Sequence, residues 1–113
     1  FYNNTSTDFL SDIYHVYDCR QIVFELKNVK EVKREHINQL NRYMSESFGK
    51  FGIIFTRNRP SKQIFQNTID LWSGQRRCIL IMDDMDSCNE NKQRLPIEVV
   101  KKKYIEFTRA CPN

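Results

Sequence analysis

Apolar and polar residues follow two distinct periods along this chain, and the switches between them mark its elements. Thr7-Asp8 is placed to cap a first helix, in which Phe9, Leu10, Ile13, Val16 and Tyr17 recur at helical spacing and form a core-facing stripe as far as Asp18. From Arg20 to Lys27 the period falls to that of a strand, with Ile22, Phe24 and Leu26 on one face and Gln21, Val23, Glu25 and Lys27 on the other. Lys33 to Ser47 returns to helical register through Ile37, Leu40 and Met44, extended by Phe48, and Gly49 is positioned to end that helix in a left-handed cap.

Phe51 to Thr56 is a nearly unbroken apolar run of strand length, as expected for a central strand covered on both faces, and Arg57-Asn58-Arg59-Pro60 stops it. Ser61 opens a second long helical pattern, Ile64, Phe65, Thr68, Ile69 and Trp72, which closes at Ser73-Gly74. Cys78 to Met82 reads as another buried strand, Asp83 to Arg94 as a polar loop, and Pro96 as the start of a last helix with Ile97, Val100, Tyr104 and Phe107 inward. Strands separated by helices favour right-handed crossovers and parallel pairing, so the pattern predicts an α/β domain. A mixed sheet flanked by helices is expected, with antiparallel strands upstream of Phe1, because Phe1-Tyr2 reads like the tail of a strand and Asn3-Asn4 like its turn.

A chain of 113 residues, 40% of them hydrophobic, suits one domain over residues 1–113 with a single core. The chain begins at Phe1 rather than Met, which predicts a piece of a longer parent chain. No apolar run approaches the length that crosses a bilayer and no signal peptide is evident, so a cytoplasmic protein without a membrane partner is expected. The net charge of +4 tolerates a polyanionic partner without naming it. Four cysteines, Cys19, Cys78, Cys88 and Cys111, stand at irregular spacings and read as reduced thiols rather than as a zinc site with His15 or His36.

Candidate chemistry centres on Phe24-Glu25-Leu26-Lys27-Asn28. Side chains alternate along a strand, so Glu25 and Lys27 emerge on one face about 7 Å apart. An acid there can hold a divalent metal through hard oxygen atoms, while an ammonium orients water and offsets charge building on a phosphate under attack. The pair also ends its strand, where an α/β sheet opens its crevice. On the next helix Gln39 and Tyr43 lie four residues apart on one flank of the core stripe, with His36 beside them. A solvated charged strand with a polar helix edge gives the same letters.

The run Ile22-Val23-Phe24-Glu25-Leu26-Lys27-Asn28, then Gln39-Leu40-Asn41-Arg42-Tyr43, then the glycine-bearing strand from Phe48-Gly49 to Arg57, resembles the PD-(D/E)xK superfamily of restriction-endonuclease-like nucleases. The resemblance covers Arg20 to Arg57 closely and the remaining elements loosely. It implies a restriction-endonuclease-like fold, Mg2+- or Mn2+-dependent hydrolysis of nucleic acid, DNA foremost, and either a monomer or a homodimer. Carried over, it makes Glu25 a metal ligand, Lys27 the catalytic lysine, and Gln39 and Tyr43 the members of a Q-x-x-x-Y motif. Arg57, joined by Arg59 and Lys62 from the dispersed basic residues, would contact phosphate.

The departure is the first acid, which the family places on the strand before the E-x-K strand. That place falls at or before Phe1; Asp18 is the nearest substitute, at a predicted helix-to-strand join, and the missing ligand is expected upstream. A degenerate, non-catalytic module of the same fold that binds nucleic acid or protein is the alternative. The acidic run Asp83-Asp84-Met85-Asp86 with Glu90 invites a calcium reading, but Asn89 stands where an EF-hand loop needs glycine.

Overall fold

The computed structural model describes residues 8–19, 21–47, 49–87 and 96–111. Among them the elements are α1 (Asp8–Tyr17), β1 (Val23–Lys27), α2 (Arg34–Ser47), β2 (Phe51–Thr56), α3 (Lys62–Gln75), β3 (Cys78–Met82), α4 (Asp84–Ser87) and α5 (Pro96–Ala110). The strands form a three-stranded sheet in the order β1-β2-β3, both pairings parallel. The described sheet is parallel, because each strand reaches the next through a helix and none through a hairpin; the antiparallel strands of the mixed sheet expected, with the strand tail at Phe1-Tyr2, lie outside the described residues. The expected cap at Thr7, the strand start at Arg20, the extension through Phe48, and Cys88 and Glu90 lie outside the described residues.

Strand alternation divides the core between two faces. On one face Phe51 and Ile53 of β2 and Cys78, Leu80 and Met82 of β3 pack with α1 and α5. Phe51 is the centre of an aromatic cluster there, with Phe9, Tyr17 and Tyr104 at ring-centroid distances of 6.5, 5.6 and 6.0 Å. Their polar ends are satisfied internally: Trp72 Nε1 donates to Tyr17 Oη at 3.1 Å, and the Tyr17 and Tyr104 hydroxyls meet at 3.0 Å. Burial pushes the Tyr17 phenol well above its ordinary range. The opposite face packs Ile54, Ile79 and Ile81 against Ile37, Leu40 and Met44 of α2 and Ile64 of α3.

Two glycines fix how closely the layers approach. Gly49 has φ +95°, and a Cβ there would lie 2.3 Å from the Asp18 carbonyl oxygen, so the left-handed turn anticipated after α2 is also a close backbone crossing. At Gly52 a Cβ would come 2.6 Å from Met44 Sδ, so α2 sits against β2 where the strand has no side chain.

Helix α3 continues past Ser73-Gly74, and the left-handed C-cap is Arg76, with φ 55° and its N–H donating to the Trp72 carbonyl. A non-glycine residue there costs on the order of 1 kcal/mol. The Arg76 guanidinium lies 4.2 Å from the Trp72 ring centroid, a cation–π contact that offsets much of that cost.

The three strands differ in cover. Every residue of β3 is buried and β2 is nearly so, while β1 alternates between half-buried and exposed. Ile22 is buried, but Phe24 is 40% and Leu26 83% exposed. The apolar side of the E-x-K strand is thus turned outward at its far end, because α1 and α5 cover β2 and β3 and stop short of β1. Among the described residues no helix is long and apolar enough to cross a membrane.

Candidate functional site

Parallel strands leave the loops that follow them at one edge, and a crevice between those loops is where α/β sheets gather functional groups. Here a crevice of about 380 Å³ opens at that edge, lined by residues from the ends of all three strands, among them Lys27, Thr56, Arg57 and Asp83. Loop-to-loop bonds shape it. Asn58 Nδ2 donates to the Lys30 carbonyl at 2.9 Å, and the Asp84 amide to the Arg57 carbonyl at 3.5 Å.

Glu25 and Lys27 lie on the face of β1 shared with Ile54 and Thr56, their register partners on β2. Lys27 Nζ is 2.7 Å from Glu25 Oε1, with side-chain exposures of 20% and 32%, respectively. The arrangement sets a carboxylate and an ammonium in contact at a strand end, partly desolvated, which is where an ion pair acts more strongly than on open surface.

The helix-borne candidates divide. Ile37, Leu40 and Met44 bury against the sheet, and Asn41, on one flank, accepts from Arg77 Nη1 at 3.2 Å just before β3. The opposite flank, with His36 and Tyr43, therefore faces the β1 side. Gln39 lies further round the helix and is exposed. Tyr43 is 53% exposed. His36 caps α2 reciprocally with Lys33, its Nδ1 accepting from the Lys33 amide at 2.8 Å while its own amide donates to the Lys33 carbonyl at 2.9 Å.

Asp18 stands apart from the pair. It adjoins Gly49, two residues before β2, whereas Glu25 pairs with Ile54. Five residues separate those levels, roughly 16 Å at strand rise. Among the described residues no group of three or more His, Cys, Asp or Glu converges as a metal site. Glu25 is a hard oxygen donor of the kind Mg2+ or Mn2+ takes, and either ion would fill its remaining positions with water, phosphate oxygens or further acids. The acidic run also differs from the expected loop: Asp84–Ser87 is a helical turn.

Asp83, placed by sequence in that loop, is the residue sequence reasoning missed. It is 2% exposed, directly after the wholly buried β3. Its Oδ1 accepts from the amides of Met85 and Asp86 at 2.8 and 3.3 Å, and its own amide donates to Asp86 Oδ2 at 2.9 Å. Asp86 is held in turn by Lys103 of α5 at 3.2 Å. Arg59 Nε stands 3.5 Å from Asp83 Oδ2, close enough to pair in charge, yet among the described residues no hydrogen-bond donor reaches that buried oxygen. Thr56, 6% exposed, likewise has a buried hydroxyl without a hydrogen-bond partner among the described residues. The sequence signal for both was a polar residue closing an apolar strand: Thr56 after Ile53-Ile54-Phe55, and Asp83 after Ile79-Leu80-Ile81-Met82.

Of the basic candidates, Arg57 lines the crevice, and Arg59 and Lys62 line an adjoining groove of about 280 Å³ between α3 and α5. Cys19 and Cys78 are buried thiols with little reactivity: burial pushes Cys19 up to about 12 and Cys78 well above its ordinary value.

No protein-family model and no solved structure matches the chain. It is similar to the putative transposon gamma-delta 80.3 kDa protein of Escherichia coli (strain K12), 32% identical over 74 residues. That stretch covers 65% of this chain and 10% of the relative, so the chain spans about a tenth of the protein it matches.

Proposed function

We propose that this chain is the E-x-K-bearing part of a PD-(D/E)xK nuclease domain with a restriction-endonuclease-like fold, acting on phosphodiester bonds of DNA. The observation that carries the reading is the contact between Glu25 and Lys27 at 2.7 Å at the end of a strand whose parallel neighbour follows through a helix covering the same face. Spacing along one strand supplies the pair, and the β1–α2–β2 crossover sets it beside the strand-end crevice.

In this reading Lys27 orients the attacking water and offsets charge on the phosphate, and Tyr43, on the β1 flank of α2, contacts a phosphate oxygen. Gln39 is exposed on the same helix. Mg2+ or Mn2+ would polarise the phosphate when bound, with Glu25 as a ligand. The similarity to a protein named for a transposon is compatible with a DNA partner and assigns no activity.

The test uses the longest natural polypeptide that contains this sequence, assayed on duplex DNA with Mg2+ or Mn2+ and with chelator. Cleavage that needs the metal and disappears in Glu25→Ala and Lys27→Ala supports the proposal. A folded protein that binds the metal and leaves every DNA and RNA substrate intact removes it.

Among the described residues no three His, Cys, Asp or Glu side chains converge, and a second reading is a non-catalytic module of the same fold that binds nucleic acid or protein. Its mark is salt-sensitive DNA binding that Glu25→Ala leaves unchanged, without cleavage in any metal.

A further inference from the structure

Lys27 pairs in register with Thr56, and Phe55 with Met82, so Asp83 follows in line with Thr56. Lys27, Thr56 and Asp83 thus form a row across the strand ends, neighbouring members about 4.8 Å apart. The first already belongs to the Glu25 ion pair, while the other two carry the unpartnered buried oxygens. Buried polar atoms without partners are uncommon because each forfeits its bonds to water. A valine at position 56 would pack as well without that cost. Asp83 Oδ2 faces Arg59, so the Thr56 hydroxyl in the strand-end crevice is the atom whose bonding a ligand would complete.

Charge and geometry select the ligand. Asp83 holds Arg59 by its Nε side at 3.5 Å, and the Arg59 side chain is 62% exposed. A guanidinium approached from Nε by a carboxylate keeps its terminal nitrogens for another partner, and their fork matches two oxygens of a phosphate. Lys27 and Arg57 add positive charge to the same crevice. A divalent cation fits less well, because Arg59 lies against the one buried acid and the crevice offers only the exposed Asp84 besides.

We infer that the Thr56 hydroxyl and an Arg59 aimed by Asp83 contact a backbone phosphate of the nucleic acid, next to the one served by Glu25 and Lys27. Thr56 donates its hydroxyl proton in a hydrogen bond to a phosphate oxygen, and Asp83 is a positioning residue that touches no ligand. The inference rests on the nucleic-acid reading of the strand-end crevice and adds a subsite to it.

The experiment is binding of a labelled DNA duplex, by fluorescence anisotropy in chelator across a salt series, paired with thermal unfolding of the same samples. Thr56→Val is expected to weaken binding about tenfold with an unchanged or raised Tm, since the buried hydroxyl is replaced by a methyl group. Arg59→Ala and Asp83→Asn should each weaken binding, the double variant no more than Arg59→Ala alone, and Arg59→Ala should lower the salt slope by about one. Normal binding by Thr56→Val and Asp83→Asn in a protein that otherwise binds DNA overturns this inference and leaves the nuclease proposal standing. Additive losses from Arg59→Ala and Asp83→Asn overturn the positioning role. Absence of DNA binding by the folded wild-type chain at low salt overturns the inference and the nucleic-acid reading together. Binding of Mn2+ that Asp83→Asn abolishes, with DNA affinity unchanged, also overturns it.

Discussion

Among the described residues β1 and β3 are both outer strands of the same three-stranded parallel sheet, and they are built differently. β3 is apolar and buried at every position, and its outer edge lies between α3 and α5, whose Phe65 and Phe107 rings meet edge to face at 6.3 Å. β1 alternates charge with hydrophobe, exposes Leu26, and keeps an ion pair on its half-covered face. An outer strand that is covered contributes mainly to stability. One that is half covered can present charged groups to a ligand at the cost of leaving apolar surface in water.

The contrast between the two strands is open to experiment at several points. The largest effect is expected from Leu80→Ala in β3, about 2–5 kcal/mol of stability, read by denaturant unfolding, because the cavity would open inside the packed face. A cost near that of a surface change would mean that β3 is not the anchor of the sheet. Lys27→Ala comes next: on the nuclease proposal, DNA cleavage by the intact natural polypeptide should fall about 100-fold or more. Its Tm should stay close to wild type, whereas loss of fold would make the pair structural.

Alkaline pH gives a smaller effect. Burial raises the thiols of Cys78 on β3 and Cys19 beside it, and a raised pKa of an acid means that the folded state favours the neutral form. Their contribution is fully present below the unfolded thiol range of about 8.5 and declines as pH rises toward the folded values. Stability should therefore fall above about pH 9. Thermal unfolding between about pH 7 and 11 checks this, and Cys78→Ala should flatten the decline. The smallest effect belongs to Leu26→Lys in β1, within about 0.5 kcal/mol. A loss comparable to Leu80→Ala would reveal that β1 is covered by something beyond the described residues.

The order of the long elements was legible because their periods are strong: α2, β2, α3, β3 and α5 lie where the sequence spacing puts them. Local chemistry misled where a contact overrode it. Gly74 looked like the end of α3, but Trp72 recruits Arg76 for the turn. The Asp83 run looked like a loop because acids are rarely buried, yet its first member caps a helical turn with two amides.

That Glu25 and Lys27 share a face was already determined in the amino-acid sequence, because strand alternation is a property of the backbone alone. So was the alternation of strands with helices, which the two hydrophobic periods encode locally. Which face of β1 is covered was settled by tertiary packing, since that depends on how far α1 and α5 reach across the sheet. The same holds for the row of Lys27, Thr56 and Asp83. These residues are far apart in the chain, and interstrand register, which no local pattern encodes, makes them neighbours.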